Sequence, residues 1–264
     1  MSTIGILGCG WLGVPLGNHL QQLGHNVRGS RTSDLGVLAL QKKGIEGYRV
    51  VLEANQASGL DAFLDELDIV IISLPPKRNS TENEYVQKIQ ILIDTISSCS
   101  IRRILFLSST SVYGSAANIY DETSLALPES IAAKALLTSE ELLSKHPISS
   151  VIIRLGGLIG TDRNPIYSLQ QKVIANPKGR INFVHQKDAV KGIAALVSHS
   201  ALQGIFNLVS PHHPIREEYY REMAQKFNLI EPQFKSEKAQ VRIIKGSKIT
   251  QKTSFDYTVD NLLI

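Results

Sequence analysis

The feature that most constrains the fold is a regular alternation of short apolar runs with amphipathic stretches through the first 155 residues. Near-continuous apolar strands separated by helices are typical of a parallel sheet that is covered on both faces. The fold class is therefore α/β, with a doubly wound parallel sheet. The predicted strands are Thr3–Leu7, Asn26–Ser30, Tyr48–Leu52, Ile69–Ser73, Ile104–Leu107 and Val151–Arg154, and the predicted helices are Leu12–Leu23, Asp34–Lys43, Leu60–Glu66, Glu84–Ser97 and Ala132–Lys145.

After Arg154 this regularity is lost, and loop-rich segments separate the remaining elements. We expect residues 1–155 to form a Rossmann-type domain, completed by residues from about 184 to 209, and residues 156–183 and 210–264 to form a smaller C-terminal α+β lobe. Ligands of doubly wound sheets bind beyond the carboxyl ends of the strands, so the substrate is expected in the cleft between the two parts. The predicted elements here are a helix at Ile166–Ile174, a strand at Ile181–His185, a helix at Lys187–Ser198 and a strand at Gly204–Val209.

A glycine pattern directly follows the first predicted strand and opens the first predicted helix. It reads Gly8-Cys9-Gly10-Trp11-Leu12-Gly13. In a dinucleotide-binding turn the first glycine allows the tight turn, the second lets the pyrophosphate approach the backbone, and the third lets helix and strand pack closely. The helix N-terminus adds unpaired N–H groups and the positive end of its dipole. We therefore predict a nicotinamide dinucleotide bound by Gly8, Gly10, Trp11, Leu12 and Gly13.

The choice between NADP and NAD is made at the end of the second predicted strand. An NAD-selective site places an acidic side chain there, on the ribose hydroxyls. Here the chain reads Ser30-Arg31-Thr32, and Asp34 is the first carboxylate that follows. A guanidinium flanked by hydroxyls suits a 2′-phosphate, because it binds phosphate as a planar fork. The sequence thus favours NADP(H), with NAD as the alternative cofactor. The alternative without a ligand is that Arg31 is a solvated arginine in a polar turn.

A proline turn, Leu74-Pro75-Pro76, follows the fourth predicted strand. A rigid turn at this position commonly lines the cofactor, so Leu74 and Pro75 are predicted cofactor contacts. A rigid turn that only ends the strand, without contacting a ligand, explains the same residues equally well.

Several segments carry a family resemblance. The fifth predicted strand runs into L-S-S-T-S-V-Y-G at 107–114, and Arg154 with Gly160, F-V-H-Q-K-D at 183–188 and G-I-F-N at 204–207 extend the match over nearly the whole chain. These segments resemble the extended short-chain dehydrogenases/reductases, the NAD-dependent epimerase/dehydratase family, and the G-x-G-W-L-G start is similar to that of an atypical branch, the YeeZ-type bacterial proteins. The resemblance implies that Ser109 is the catalytic serine, whose hydroxyl bonds the reacting oxygen of the substrate.

The chain departs from the family where its Tyr-x-x-x-Lys motif should stand. The corresponding residues are Ser130 to Lys134, so the lysine is retained and the tyrosine is absent. The resemblance implies that Lys134 bonds the nicotinamide ribose. A serine hydroxyl is too weak an acid to replace the phenol, so Ser130 is expected instead to orient a substrate or a water. Tyr120 and Glu122 are alternative candidates for the proton carrier. The other interpretation is that they are ordinary exposed residues of a loop. The glycine turn departs too, since extended members usually show G-x-x-G-x-x-G.

Composition and charge exclude several other classes. The chain is 43% hydrophobic and 20% charged with a net charge of +4, and no basic cluster with interleaved aromatics indicates nucleic-acid binding. Its longest apolar runs are too short for a membrane span. Two cysteines and no secretory signal predict a cytoplasmic protein. No metal site is expected, because His212-His213 has no spaced partner ligand.

The predicted function is NADP(H)-dependent redox chemistry on a carbonyl or secondary alcohol, as a reductase or an epimerase. A small molecule is the expected partner, by family analogy a nucleotide sugar, and a homodimer is left open. The alternative is a non-catalytic NADP(H)-binding sensor or regulatory protein, which the missing tyrosine favours.

Overall fold

A computed structural model describes residues 1–77, 81–259 and 261–263. The strands are β1 (Thr3–Leu7), β2 (Asn26–Arg31), β3 (Glu46–Arg49), β4 (Val51–Leu52), β5 (Ala57–Ser58), β6 (Ile69–Ile72), β7 (Arg103–Ser109), β8 (Ile119–Tyr120), β9 (Ser149–Leu155), β10 (Gly157–Ile159), β11 (Val173–Ile174), β12 (Phe183–His185), β13 (Gly204–Leu208), β14 (Gln233–Phe234) and β15 (Ile243–Ile244). The helices are α1 (Gly13–Gln22), α2 (Asp34–Gln41), α3 (Leu60–Leu64), α4 (Glu82–Ile96), α5 (Ile131–Lys145), α6 (Ile166–Leu169), α7 (Gln186–Ser198), α8 (Arg216–Lys226) and α9 (Ser247–Lys252), with a short 3-10 helix at Thr110–Tyr113.

The centre of the molecule is a parallel sheet of seven strands in the order β13-β9-β7-β6-β1-β2-β3. Its strands are apolar on both faces because both faces are buried. In β6, Ile69 and Ile71 pack with α1 and α7 in one core cluster, while Val70 and Ile72 pack with α4 and α5 in the other. This arrangement confirms the α/β, doubly wound fold class.

The strand order reverses between β1 and β6. From β1 the chain winds outward through β2 and β3, and it then returns to place β6, β7 and β9 on the other side of β1. A sheet of this kind has a crevice at that switch point, outside the carboxyl ends of the strands. The glycine turn follows β1 and therefore lies at the crevice.

A third, smaller core cluster belongs to the C-terminal half of the chain. It joins Ile166, Ile181, Tyr219 and Met223 with residues that precede and follow them. Its strands are short, and they pair in two-stranded ladders: β10 with β12, and β11 with β14. β13 pairs with β9 in the main sheet, and α7 packs beside α1.

Two predicted elements differ from the structure. The helix predicted at Ile166–Ile174 ends at Leu169, because Gln171 has a left-handed backbone (φ +59°) and the chain continues as β11. The strand predicted at Tyr48–Leu52 is divided, since β3 belongs to the main sheet and β4 forms an antiparallel pair with β5. Within the described ranges, no helix combines the length and hydropathy needed to cross a bilayer.

Candidate functional site

The three glycines of the turn meet three different requirements. Gly8 has φ +86°, and a Cβ there would lie 2.5 Å from the carbonyl oxygen of Ser73, so neither the backbone nor the space allows a side chain. At Gly13 a Cβ would lie 3.2 Å from Ile6, which reflects close packing of α1 on β1. At Gly10 a Cβ would meet nothing nearer than 3.8 Å. The protein itself therefore leaves the space above Gly10 open.

The first turn of α1 presents unpaired donors beside that open space. Leu12 is the N-cap residue, and its side chain provides no cap. The backbone N–H groups of Trp11, Leu12 and Gly13 donate to no acceptor among the described residues, whereas Val14 N–H already bonds the carbonyl of Gly10. Such N–H groups and the helix dipole form a site for phosphate. The geometry fits the diphosphate of a dinucleotide.

The end of β2 lies against the glycine turn. Ser30 is buried, and its hydroxyl accepts a hydrogen bond from Gly8 N–H at 2.9 Å, so this side chain fixes the turn rather than facing a ligand. Arg31 Nη1 lies 3.9 Å from the Cβ position of Gly10. The Arg31 guanidinium has no hydrogen-bond acceptor or carboxylate partner among the described residues, and its Nε is buried without a partner. Thr32 is exposed.

The first carboxylate after β2 is engaged elsewhere. Asp34 opens α2, and its Oδ2 lies 3.2 Å from Arg49 Nη1 at the surface. The turn after β6 contributes Leu74, whose Cδ2 would lie 3.0 Å from a Cβ at Gly8 and whose carbonyl accepts from Tyr85 Oη at 2.6 Å. Leu74 therefore borders the glycine turn, whereas Pro75 is exposed.

A cavity of about 550 Å³ opens beyond the end of β7, two strands away from β1. Ser109, the last residue of β7, and Ser130, the N-cap of α5, both line this cavity, so the fold brings together two of the three predicted catalytic residues. Lys134 is exposed on α5 and does not line it.

The two serine hydroxyls already serve the backbone. Ser109 Oγ accepts from Ser111 N–H at 3.1 Å, and Ser130 Oγ accepts from Ala133 N–H at 3.1 Å, which caps α5. Each hydroxyl retains its own hydrogen for donation toward the cavity. Ser130 thus occupies the place of the family's tyrosine as a helix cap.

The alternative proton carriers lie elsewhere. Tyr120 is buried and donates to the carbonyl of Ala116, and Glu122 accepts from the backbone N–H of Asn207 at 2.8 Å. Burial raises the pKa of Glu122, and Lys248 opposes this shift. Neither side chain lines the cavity.

Three arginines that the sequence did not single out, Arg180, Arg216 and Arg242, line the same cavity as Ser109 and Ser130. Each donates one hydrogen bond to a backbone carbonyl, and none forms an ion pair with a carboxylate of the described residues. These arginines come from loop ends and a helix start that carry no local signature, so only the fold brings them together.

The cavity has a positive electrostatic character. Burial lowers the pKa of Arg242; the neighbouring Tyr120 and Glu129 oppose this shift, and the charge of Arg216 adds to it. Glu129 is the one carboxylate of the cavity lining among the described residues, and it accepts hydrogen bonds from the backbone N–H and hydroxyl of Ser115. These bonds lower the pKa of Glu129. Guanidinium groups that share a cavity and have no ion-pair partner among the described residues favour an anionic ligand.

Comparison with known proteins places the chain among relatives of full length. No family model matches it. It is 35% identical to Protein YeeZ of Escherichia coli (strain K12) over 271 residues, covering 100% of this chain and 98% of that protein.

Solved structures share the fold at lower identity. The UDP-glucuronic acid 4-epimerase of Bacillus cereus in complex with NAD superposes with a TM-score of 0.83 at 16% identity, covering 99% of this chain and 95% of that one. A short-chain dehydrogenase/reductase superfamily protein of Agrobacterium tumefaciens with bound NAD gives 0.80 at 19% identity, covering 99% and 94%. A conserved protein of unknown function from Silicibacter pomeroyi gives 0.81 at 19% identity, covering 100% and 96%. The chain belongs to the YeeZ family, and its fold is that of the NAD-dependent epimerases and other short-chain dehydrogenases/reductases.

Proposed function

We propose that the chain is an NADP(H)-dependent oxidoreductase or epimerase that acts on a carbonyl or secondary alcohol. The observation that carries this proposal is the position of Ser109. It lines a cavity at the carboxyl end of β7, and the open space above Gly10 follows β1 two strands away. Two strand spacings are about 10 Å. A dinucleotide with its diphosphate on the glycine turn can therefore extend its nicotinamide toward that cavity.

The residues proposed to hold the cofactor are the glycine turn, the unpaired N–H groups of α1 and Arg31. NADP(H) rather than NAD is proposed because the Arg31 guanidinium at the end of β2 has no hydrogen-bond or carboxylate partner in the described part of the chain, while Asp34 is paired with Arg49. The epimerase of Bacillus cereus and the protein of Agrobacterium tumefaciens have NAD bound. This difference in cofactor is part of the proposal.

The proposed chemistry assigns one role to each of Ser109, Ser130 and Lys134. When bound, the nicotinamide supplies or accepts hydride at the reacting carbon. Ser109 donates its hydroxyl hydrogen to the reacting oxygen of the substrate and polarises it. Ser130 orients the substrate or a water, and Lys134, one helical turn further along α5, holds the ribose.

The proposed substrate is anionic, such as a nucleotide sugar. Arg180, Arg216 and Arg242 would bind its phosphates, because guanidinium forks match phosphate oxygens and none of the three forms an ion pair with a carboxylate of the described residues. All three belong to residues 156–183 and 210–264, which we propose as the substrate lobe.

The first experiment measures cofactor affinity by calorimetry. Wild-type protein should bind NADPH more tightly than NADH, and Arg31→Asp should weaken NADPH far more than NADH. Lys42→Asp makes the same charge change at an exposed site after α2 and should leave the preference intact. Unchanged NADPH affinity in Arg31→Asp would contradict the assignment of Arg31, and no binding of either dinucleotide would overturn the proposed function.

The second experiment follows nicotinamide absorbance with a panel of phosphorylated and nucleotide-linked carbonyl compounds. A compound that is turned over should be turned over at least about 100-fold more slowly by Ser109→Ala, because an oxyanion donor is lost. An active substrate with unchanged turnover in Ser109→Ala would remove the serine from the mechanism.

A non-catalytic NADP(H)-binding sensor is the second candidate. The observation that favours it is the cap at the start of α5, where Ser130 replaces a tyrosine and its hydroxyl is engaged by the helix. Tight NADPH binding without turnover of any compound in the panel would support the sensor.

A further inference from the structure

Trp11, inside the glycine turn, is clamped by a turn from the second half of the chain. Its indole Nε1 donates to Asp162 Oδ1 at 2.8 Å, and the guanidinium carbon of Arg163 lies 4.9 Å from its ring centroid. Gly160 and Arg163 close this turn through paired backbone hydrogen bonds of 2.8 and 3.2 Å. The turn formed by residues 160–163 therefore covers the side chain of a residue whose backbone N–H is one of the unpaired donors.

The contact is tight and is supported from a third direction. A Cβ at Gly160 would lie 2.8 Å from the Trp11 ring, so the turn is pressed directly onto the indole. Gln186 Nε2, at the start of α7, donates to the carbonyl of Trp11 at 2.9 Å. The side chain and the backbone of Trp11 are thus both held in place. This fixes the ring on which the guanidinium of Arg163 lies.

Arg163 has unused donor capacity. It is exposed, and among the described residues its side chain has neither a hydrogen-bond acceptor nor a carboxylate partner. The neighbouring carboxylate, Asp162, is engaged by the indole instead. The cation therefore lies against the aromatic ring of Trp11, and none of its five N–H groups has an acceptor within residues 1–77, 81–259 and 261–263.

Two arginines that have no carboxylate partner among the described residues therefore lie beside the glycine turn. Arg31 approaches Gly10 from the end of β2, and Arg163 lies on Trp11 at the start of α1. Arg31 is proposed to bind the 2′-phosphate, which NADP has and NAD lacks. Arg163 lies instead on Trp11, whose backbone N–H is proposed to bind the diphosphate that both dinucleotides share.

We propose that Arg163 binds the diphosphate of the dinucleotide, and that Trp11 positions it for this contact. The inference rests on the proposed function, since it requires a dinucleotide on the glycine turn. It adds a cofactor-binding residue from the second half of the chain, far in sequence from the glycine pattern. The bound diphosphate would join the turn of residues 160–163 to the start of α1.

The test compares the affinities of NADH and NADPH by calorimetry in Arg163→Gln. Loss of a charge-assisted contact to the shared diphosphate should weaken both dinucleotides by the same factor, about 10-fold or more. Lys252→Gln, which removes one positive charge from an exposed position of α9, should change neither by more than about twofold. Arg31→Gln should differ from these two variants, because it should weaken the affinity for NADPH much more than the affinity for NADH.

Three results would count against this assignment in different ways. Affinities within twofold of wild type in Arg163→Gln would overturn it, and so would a loss confined to NADPH. A wild-type protein that binds neither dinucleotide would overturn the proposed function itself, which the wild-type measurement alone reveals.

The positioning role of Trp11 has its own readout. In a Trp11→Leu background, Arg163→Gln should produce little further loss of affinity, because the cation is no longer held over the turn. Full additivity of the two losses would show that Trp11 does not position Arg163. Because Trp11 is the single tryptophan of the chain, its emission provides a second measure of binding in the wild-type protein and in Arg163→Gln.

Discussion

At the scale of single residues, the glycine turn separates what the fold requires from what a ligand requires. Gly8 is imposed by a positive φ and by the carbonyl of Ser73, and Gly13 by close helix-strand packing. Gly10 is imposed by neither, since a methyl group there would meet no protein atom closer than 3.8 Å. The absence of a side chain at Gly10 is thus best explained by a ligand that comes close to the backbone.

Gly10→Ala tests this explanation. The free energy of unfolding should change by less than about 1 kcal/mol, because a Cβ fits the folded chain without conflict. The affinity for NADPH should fall by about 10-fold or more, because the methyl group occupies the space proposed for the diphosphate. Denaturant unfolding and calorimetry measure the two quantities, and an unchanged affinity would contradict the placement of the cofactor.

Gly8→Ala and Gly24→Ala form a matched pair. Both glycines have a positive φ, +86° and +87°, but a Cβ at Gly24 would meet nothing within 4 Å. Gly24→Ala should therefore cost only the backbone strain, about 1 kcal/mol, and Gly8→Ala should cost more because of the clash with Ser73. Equal losses of stability in urea would show that the clash is relieved by local movement.

At the scale of elements, a buried polar contact ties the strand that carries Ser109 to its neighbours. Ser108 on β7 donates to Glu140 on α5 at 2.5 Å, and Glu140 pairs with Arg154 on β9 at 2.6 Å. Both charged side chains are nearly fully buried, with 3% and 4% exposure. Arg154 also lies over the ring of Tyr113, 4.7 Å from its centroid. The contacts of Ser108, Glu140 and Arg154 tie α5, whose N-cap residue is Ser130, to the end of β7.

Glu140→Gln should destabilise the protein by about 3–5 kcal/mol, because it leaves the guanidinium of Arg154 buried without a counter-charge. Glu141→Gln is the matched control, since it makes the same change at the next, exposed position of α5 and should cost less than about 0.5 kcal/mol. Chemical denaturation measures both. Similar small effects for the two variants would show that water or a rearranged side chain compensates the buried charge.

At the scale of the whole molecule, the packing of the two halves leaves histidines in partly buried positions. Burial lowers the pKa of His213, and the charges of His212 and Arg180 lower it further. The hydrogen bond to the carbonyl of Ile181 raises it. Burial also lowers the pKa of His185, against the attraction of Asp188. In the unfolded chain these side chains take up protons near their ordinary value of 6.5. The folded state takes them up only at lower pH.

The contribution of these two histidines to the free energy of unfolding should therefore fall as the pH is lowered from 7.5 to 5, because at these two sites the unfolded state binds more protons in this range. Stability from carboxylates of lowered pKa, such as Asp68 and Asp121, is lost only at lower pH. His213→Gln should lose less stability than the parent protein between pH 7.5 and 5. Equal slopes of the two unfolding free energies against pH would exclude His213 as a source of the pH dependence.

Local sequence patterns determined the central architecture. Apolar periodicity is a property of neighbouring residues, so the alternation of strands and helices through residue 155 was predictable, and the seven-stranded parallel sheet confirms it. The glycine turn was equally readable, because a six-residue spacing and its strand-turn-helix context are local. The helix predicted at Ile166–Ile174 was wrong beyond Leu169, since a left-handed residue and pairing with the distant β14 overrule local periodicity there.

The cavity and the clamp on Trp11 were decided by the tertiary structure alone. Arg180, Arg216 and Arg242 meet Ser109 and Ser130 only because the C-terminal segments fold back over the carboxyl ends of the strands. Trp11 meets Arg163 for the same reason. A single arginine in a loop resembles any solvated surface charge in the sequence. Its lack of a carboxylate partner, and hence its availability to an anion, exists only when distant segments have packed and left that charge unpaired.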